Sequence, residues 1–243
     1  MTSSDTATQD GTQQLLADLP EVATPPIGKK LSAEIEAMEP VSMRKPMREF
    51  LLFVGMSLPF FVVLIALVGT RRDLSSLSPL WLGSVALVWV ASYLAAAYIG
   101  FVPAKGHVAP RSRTIRQIVA ASAVVMMTLG IFATQTVQGV STTYPSTVGN
   151  FVSHAGSCAV FGFGSGVIPG VFALILMRRF VPVGRTSIGL SLGAAGGSLG
   201  GLALLLHCPI AERFHVGLVH GAAIVTAAIF VAGISQMLLR ERA

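Results

Sequence analysis

The run LLLHCPIAERFHVGLVHG, residues 204 to 221, places His207, Cys208, His215 and His220 within fourteen positions of an otherwise apolar stretch. Thiolate and imidazole are the side chains that hold soft and borderline cations, and thiols are also the groups that oxidants attack. The second cysteine, Cys158, follows His154 by four positions, a spacing that puts both on one face of a helix. Three chemistries fit this set. The residues can be satisfied locally at a membrane surface; Cys158 and Cys208 can form a disulfide in an oxidising compartment; or the two thiols can sense a metal ion or an oxidant. The spacing matches no zinc signature, so no resident cofactor is expected. A transient heavy-metal ion at Cys158 and Cys208 is the ligand class the donors suit, with His154, His207, His215 and His220 as auxiliary donors.

The elements that must position these groups are apolar. The 243 residues are 53% hydrophobic and 12% charged, about half the charge of an ordinary soluble domain at ~25%. Six runs, about 50–69, 80–102, 117–137, 156–177, 186–206 and 215–239, contain no Asp, Glu, Lys or Arg. Each is long enough to cross a hydrocarbon core, which takes roughly 20 helical residues. Helix is their expected state because lipid offers no partner to an open backbone amide. The fold class is therefore an all-α membrane protein, a six-helix transmembrane bundle over 50–239. It is preceded by a tail over 1–49 and followed by a short end over 240–243. Pro59 and Pro169 are expected to kink the first and fourth spans.

The connections give the orientation. Fourteen of the 17 Lys and Arg residues fall in the N-terminal tail, 103–116, 178–185 and the C-terminus; only Arg71, Arg72 and Arg213 fall in 70–79, 138–155 and 207–214. The positive-inside rule then places both termini in the cytoplasm. Four of the five histidines and both cysteines share the outer face, with only His107 on the cytoplasmic side. The net charge of +6 is spread over loops without interleaved aromatics, so direct nucleic-acid binding is not expected.

The tail is acidic over 1–39, with seven carboxylates against Lys29 and Lys30, and MRKPMRE at 43–49 reverses the sign where headgroups begin. It holds two short amphipathic pieces, TQQLLADL and LSAEIEAM. Leu15, Leu16 and Leu19 make one apolar face; Leu31, Ile35 and Met38 make the other. Neither piece is long enough to be a stable helix alone, so the segment is expected to fold on a cytoplasmic partner. In the spans, Gly162, Gly166 and Gly170 on the fourth and Gly189, Gly193, Gly197 and Gly201 on the fifth recur every four residues. Such stripes let backbones approach, and close packing of spans four and five is expected.

Two other function classes fit this pattern less well. FGSG at 163–166 offers Ser165 as a nucleophile with His220 as base, an arrangement similar to rhomboid proteases. Phe163, however, stands where their motif has glycine, and the second span lacks the expected His and Asn. A small-solute or metal-ion transporter would use ionisable groups inside its spans, and the spans hold no carboxylate. A passive path past Gln135 and Gln138 is the form such a reading would take. The chain is not expected to be an enzyme.

Cys158, the GxxxG glycines and Pro169, MRRFVPVGR, the glycine-rich fifth span, LHCP at 206–209 and HG at 220–221 resemble the NrsF family, the negative regulators of sigma F. The motifs cover roughly 150–240; the paired cysteines and LHCP are the most specific. The resemblance implies a six-span anti-sigma factor of a bacterial inner membrane. Its cytoplasmic tail would bind an extracytoplasmic-function sigma factor and its two cysteines would take part in sensing. This tail is longer and more acidic than an anchor needs and has no zinc-binding anti-sigma motif, so its contacts do not carry over residue by residue.

Overall fold

The computed structural model describes residues 45–103, 112–132, 148–178, 184–210 and 214–238, with side chains of 148–154 excepted. The apolar tail residues Leu15, Leu16, Leu19, Leu31, Ile35 and Met38, together with His107, Gln135 and Gln138, lie outside the described residues. The described residues are helical, with no strand among them. Six helices carry the chain: α1 (Pro46–Val68), α2 (Pro79–Phe101), α3 (Ser112–Phe132), α4 (Val148–Met177), α5 (Arg185–His207) and α6 (Gly221–Leu238). A π-helical turn, His215–His220, leads into α6 and makes one continuous span with it. All six spans are long and apolar enough to cross a membrane.

Sequence explains most boundaries. Pro46 and Pro79 open α1 and α2 at the position where a missing N–H costs nothing. The Ser78 hydroxyl accepts the Trp81 N–H at 3.5 Å. Gly69 closes α1 at φ 79°, a left-handed geometry that only glycine adopts without strain. Pro59 and Pro169 lie within α1 and α4, which continue through them. Three spans begin well ahead of the apolar runs. The first starts at Pro46 and takes in Arg48 and Glu49. The third begins at Ser112, so Arg113 and Arg116 join its first turns, where long side chains can reach headgroups. The fourth begins at Val148, because the polar residues before Ala155 continue the helical backbone rather than forming loop.

The bundle is built around α5. In the apolar window of that helix 94% of residues are buried, against 11% for α1, which makes α5 the axis and α1 the outermost span. Its composition is the cause: glycine, alanine and serine interrupt its leucines on every side, so three neighbours can press against its backbone at once. On one side, Gly196 and Gly200 face the carbonyls of Gly166 and Gly162 on α4, and a Cβ at either position would strike those oxygens. On a second side, Gly189, Gly193 and Gly197 meet Ala232, Ala228 and Ile224 on α6. On a third, the Trp89 ring of α2 covers Gly201, and the Ser191 hydroxyl donates to the Ala96 carbonyl at 2.6 Å.

The glycine stripes are thus shared among more partners than their spacing suggests. Gly162 and Gly166 do meet α5, but Gly170 sits against Val231 of α6 as well as the α5 backbone, and Gly189 and Gly193 face α6 rather than α4. The reason is angular: residues four apart drift around a helix of 3.6 residues per turn, so one stripe serves more than one neighbour. Meanwhile Leu51, Leu58, Val62, Val63 and Leu67 of α1, Leu80 and Leu87 of α2, Val124 of α3 and Ile229 of α6 remain exposed. An apolar exterior on this scale is the surface lipid chains cover.

Candidate functional site

Strict alternation of the spans brings the end of α1, the start of α2, the start of α4, the end of α5 and the π turn to one end of the bundle. Cys158, less than one turn into the apolar part of α4, is half-buried; Cys208, the residue that caps α5, is fully buried. Their sulfurs lie 3.4 Å apart as free thiols. His215 completes the group from the start of the last span: its Nε2 is 3.4 Å from Cys208 Sγ, and the three ligand atoms all lie within 4.8 Å of one another. Cys208 lies just past the end of the α5 span, and its pKa is shifted upward. The hydrogen bond to Cys158, followed by burial, raises it above the ordinary cysteine range.

The π turn is what delivers His215. Five residues along an α-helix amount to about 500°, which would turn His215 and His220 roughly 140° apart. Hydrogen bonding from i to i+5 widens the turn, and both histidines then point inward, with ring centroids 5.4 Å apart. The wide turn is held by α3, whose Gly130 lies directly on the Gly217 backbone, while Met127 lies on Gly221. His220 is buried with neither ring nitrogen hydrogen-bonded.

His207 is turned away from the sulfurs: its Nδ1 is 2.9 Å from the Gly69 carbonyl, and its ring packs on Phe161 at 5.0 Å. His154 falls on α4, its side chain outside the described residues. Ser165 spends its hydroxyl on the carbonyls of Phe161 and Gly162, at 2.7 and 3.2 Å on its own helix. Sequence reasoning counted Arg71 and Arg72 of the α1–α2 connection only toward orientation and gave the connection no site. There Arg71 and Asp73 form a two-pronged ion pair, both contacts at 2.6 Å, and the Arg71 hydrogen bond draws the Asp73 carboxyl below its usual range. Together with Thr70, Ser76, His207 and Pro209 they line a cavity of ≈ 610 Å³. The signal available in the sequence was RRD just after a helix-ending glycine.

The donor set fits a soft or borderline divalent ion. Metal–sulfur bonds of about 2.3 Å and metal–nitrogen bonds of about 2.0 Å place two tetrahedral thiolates roughly 3.8 Å apart and a thiolate and imidazole roughly 3.5 Å apart. The Cys158–Cys208 and Cys208–His215 separations, both 3.4 Å, are within a few tenths of those spans, and the third pair, Cys158 and His215, lies within 4.8 Å. Cadmium(II) added to the purified protein should therefore give thiolate-to-metal charge-transfer absorption saturating at one ion per chain. His215→Ala should weaken that binding on the order of 100-fold while retaining the absorption, because the sulfurs remain. Unaltered affinity in His215→Ala would remove the imidazole from the ligand set.

Comparison with curated proteins and with solved structures finds no match. The family described as "NrsF: Negative regulator of sigma F" matches residues 35–240, from the end of the tail through all six spans. That range carries both cysteines, LHCP and the glycine-rich fifth helix, and the chain accordingly belongs to the NrsF family of negative regulators of sigma F.

Proposed function

We propose that the protein is a membrane-bound anti-sigma factor that sequesters an extracytoplasmic-function sigma factor on its N-terminal tail. It would release that factor when a metal ion or oxidant reacts at Cys158 and Cys208. The observation that carries the sensing half is the donor group itself: one site takes Cys158 from α4, Cys208 from the end of α5 and His215 from the last span. Chemistry at one point therefore acts on three helices at once. The acidic tail, with its apolar pairs, is suited to cover basic surfaces of a sigma factor.

The two triggers act differently on this geometry. Disulfide formation brings sulfurs to about 2.05 Å, a closure of more than 1 Å from 3.4 Å. The two thiols give up two protons and two electrons, which an oxidant such as a diazene takes up as it becomes a hydrazine. A metal ion that uses the three donors where they stand favours the present arrangement, since a ligand shifts an equilibrium only by its differential affinity. Release by a metal therefore draws in a further donor, and His220, buried beside His215 with no partner, is the nearest by ring contact. Moving the tail from 99% occupied to 99% free takes about 5.5 kcal/mol. The part of soft-metal coordination gained only in the released state must supply this, and a total of about 10–16 kcal/mol for structural zinc leaves room for it; a surface ion pair, at most about 1 kcal/mol, does not.

The reading requires sulfurs outside and tail inside. Among the described residues the cysteine-bearing end carries Arg71 and Arg72, and the opposite end Lys45, Arg48, Arg113, Arg116, Arg178 and Arg185, the asymmetry expected of that orientation in an inner membrane. Ser146→Cys, in a chain whose two native cysteines are serine, should react with a membrane-impermeant maleimide added to intact spheroplasts. Labelling only after lysis would invert the topology and end the proposal.

A further inference from the structure

The cysteine site and the tail-bearing helix are joined by a short clasp. Residue 45 leads directly into α1, so whatever the tail does is covalently continuous with that helix. α1 is the least buried span, and among the described residues named contacts tie it down near both ends. At its first turns, Phe50 packs edge-on against Tyr98, and Phe53 packs against Tyr93 and Phe101, with ring centroids 5.4 to 5.7 Å apart. At its far end, about 34 Å along at 1.5 Å per residue, the Gly69 carbonyl is held by His207 Nδ1 at 2.9 Å. There the Arg71 N–H donates to the Leu206 carbonyl at 2.8 Å. The bidentate Arg71–Asp73 pair braces the connection from its own side.

Both clasp bonds end on the two residues that precede Cys208. His207 is also pressed on Phe161, three residues after Cys158 on α4. A change in the Cys158–Cys208 separation therefore cannot leave His207 where it is: one neighbour of the imidazole rides with each sulfur. We propose that His207 is a positioning residue that couples the cysteine site to α1, the Gly69 and Arg71 bonds holding α1 in the repressing position until α4 and α5 shift. The proposal rests on the sensing role assigned to Cys158 and Cys208, but the clasp itself can be opened without a signal.

That separation supplies the test. His207→Phe keeps a ring for Phe161 and loses the bond to Gly69. His207→Asn places a side-chain N–H near the position of Nδ1 and keeps the bond. In cells with a sigma-dependent reporter and equal amounts of inserted protein, His207→Phe should raise basal expression on the order of fivefold, the factor one net hydrogen bond carries. His207→Asn should stay near the parent level. The rise should persist when Cys158 and Cys208 are both serine, because the clasp lies downstream of them. Hydrogen exchange on the purified full chain gives the second reading: the Arg71 amide should exchange faster in His207→Phe and, in the parent, after treatment with a thiol oxidant. Basal expression unchanged in His207→Phe, an equal rise in His207→Asn, or a rise abolished by the two serines overturns the coupling. If oxidant neither induces the reporter nor alters exchange while His207→Phe still derepresses, the clasp stands and the cysteine reading falls.

Discussion

With Cys158 and Cys208 both replaced by serine, the reporter should remain silent under thiophilic metal or oxidant, where the parent rises up to about 100-fold as the tail passes from nearly full to nearly empty. Serine preserves the size of each side chain and removes what the site needs. A hydroxyl is a poor ligand for soft cations and forms no disulfide. Both positions tolerate the change sterically, since Cys158 is half-buried and the Cys208 backbone bond to Leu204, at 2.8 Å, does not involve the side chain. Each single replacement should also abolish the oxidant response, because a disulfide needs both sulfurs. A metal response would survive weakly in one single variant if the remaining sulfur and His215 hold the ion. A normal response in the double variant would separate sensing from these residues altogether.

The second large effect concerns the tail. Removing residues 1–39 should free the sigma factor with no signal, a rise of similar size, while the protein still inserts. The deletion ends before MRKPMRE, so the basic residues that meet the headgroups stay, and α1 keeps Pro46 at its first position. Affinity purification of the parent from detergent-solubilised membranes should retain a sigma factor that the shortened chain loses. Continued repression after the deletion would move the binding surface to the connection over 103–116. This experiment and the cysteine replacement are independent: the first tests what is held, the second what releases it.

The free thiols in van der Waals contact also bear on which signal arrives faster. The Cys208 thiol is buried, covered by Cys158 and His215. Cys158 is the more accessible of the two and so the one an incoming ion or oxidant meets first. The final sulfur–sulfur bond or second metal bond then forms across α4 and α5, the pair whose backbones touch at Gly166 and Gly196. Close backbone packing leaves little side-chain slack to absorb a movement of more than 1 Å, so the helices themselves must shift.

Six helical spans could be read directly from the chain because lipid imposes the same conditions on each: its middle must be mostly apolar and its backbone must bond within its own helix. Charge distribution, turn glycines and helix-opening prolines are likewise local properties, visible at Gly69, Pro46 and Pro79. Which donors meet is not local. His207 adjoins Cys208 in sequence yet points to Gly69, while His215, seven residues on, reaches the sulfur; the difference is made by a π turn that α3 holds in place through Gly130. The same holds for the glycines, whose four-residue spacing announced close packing but left it to the neighbours crowding α5 to decide which face met which helix. Periodicity tells a helix which side is small; only the other helices, competing for that side, determine what comes to rest against it.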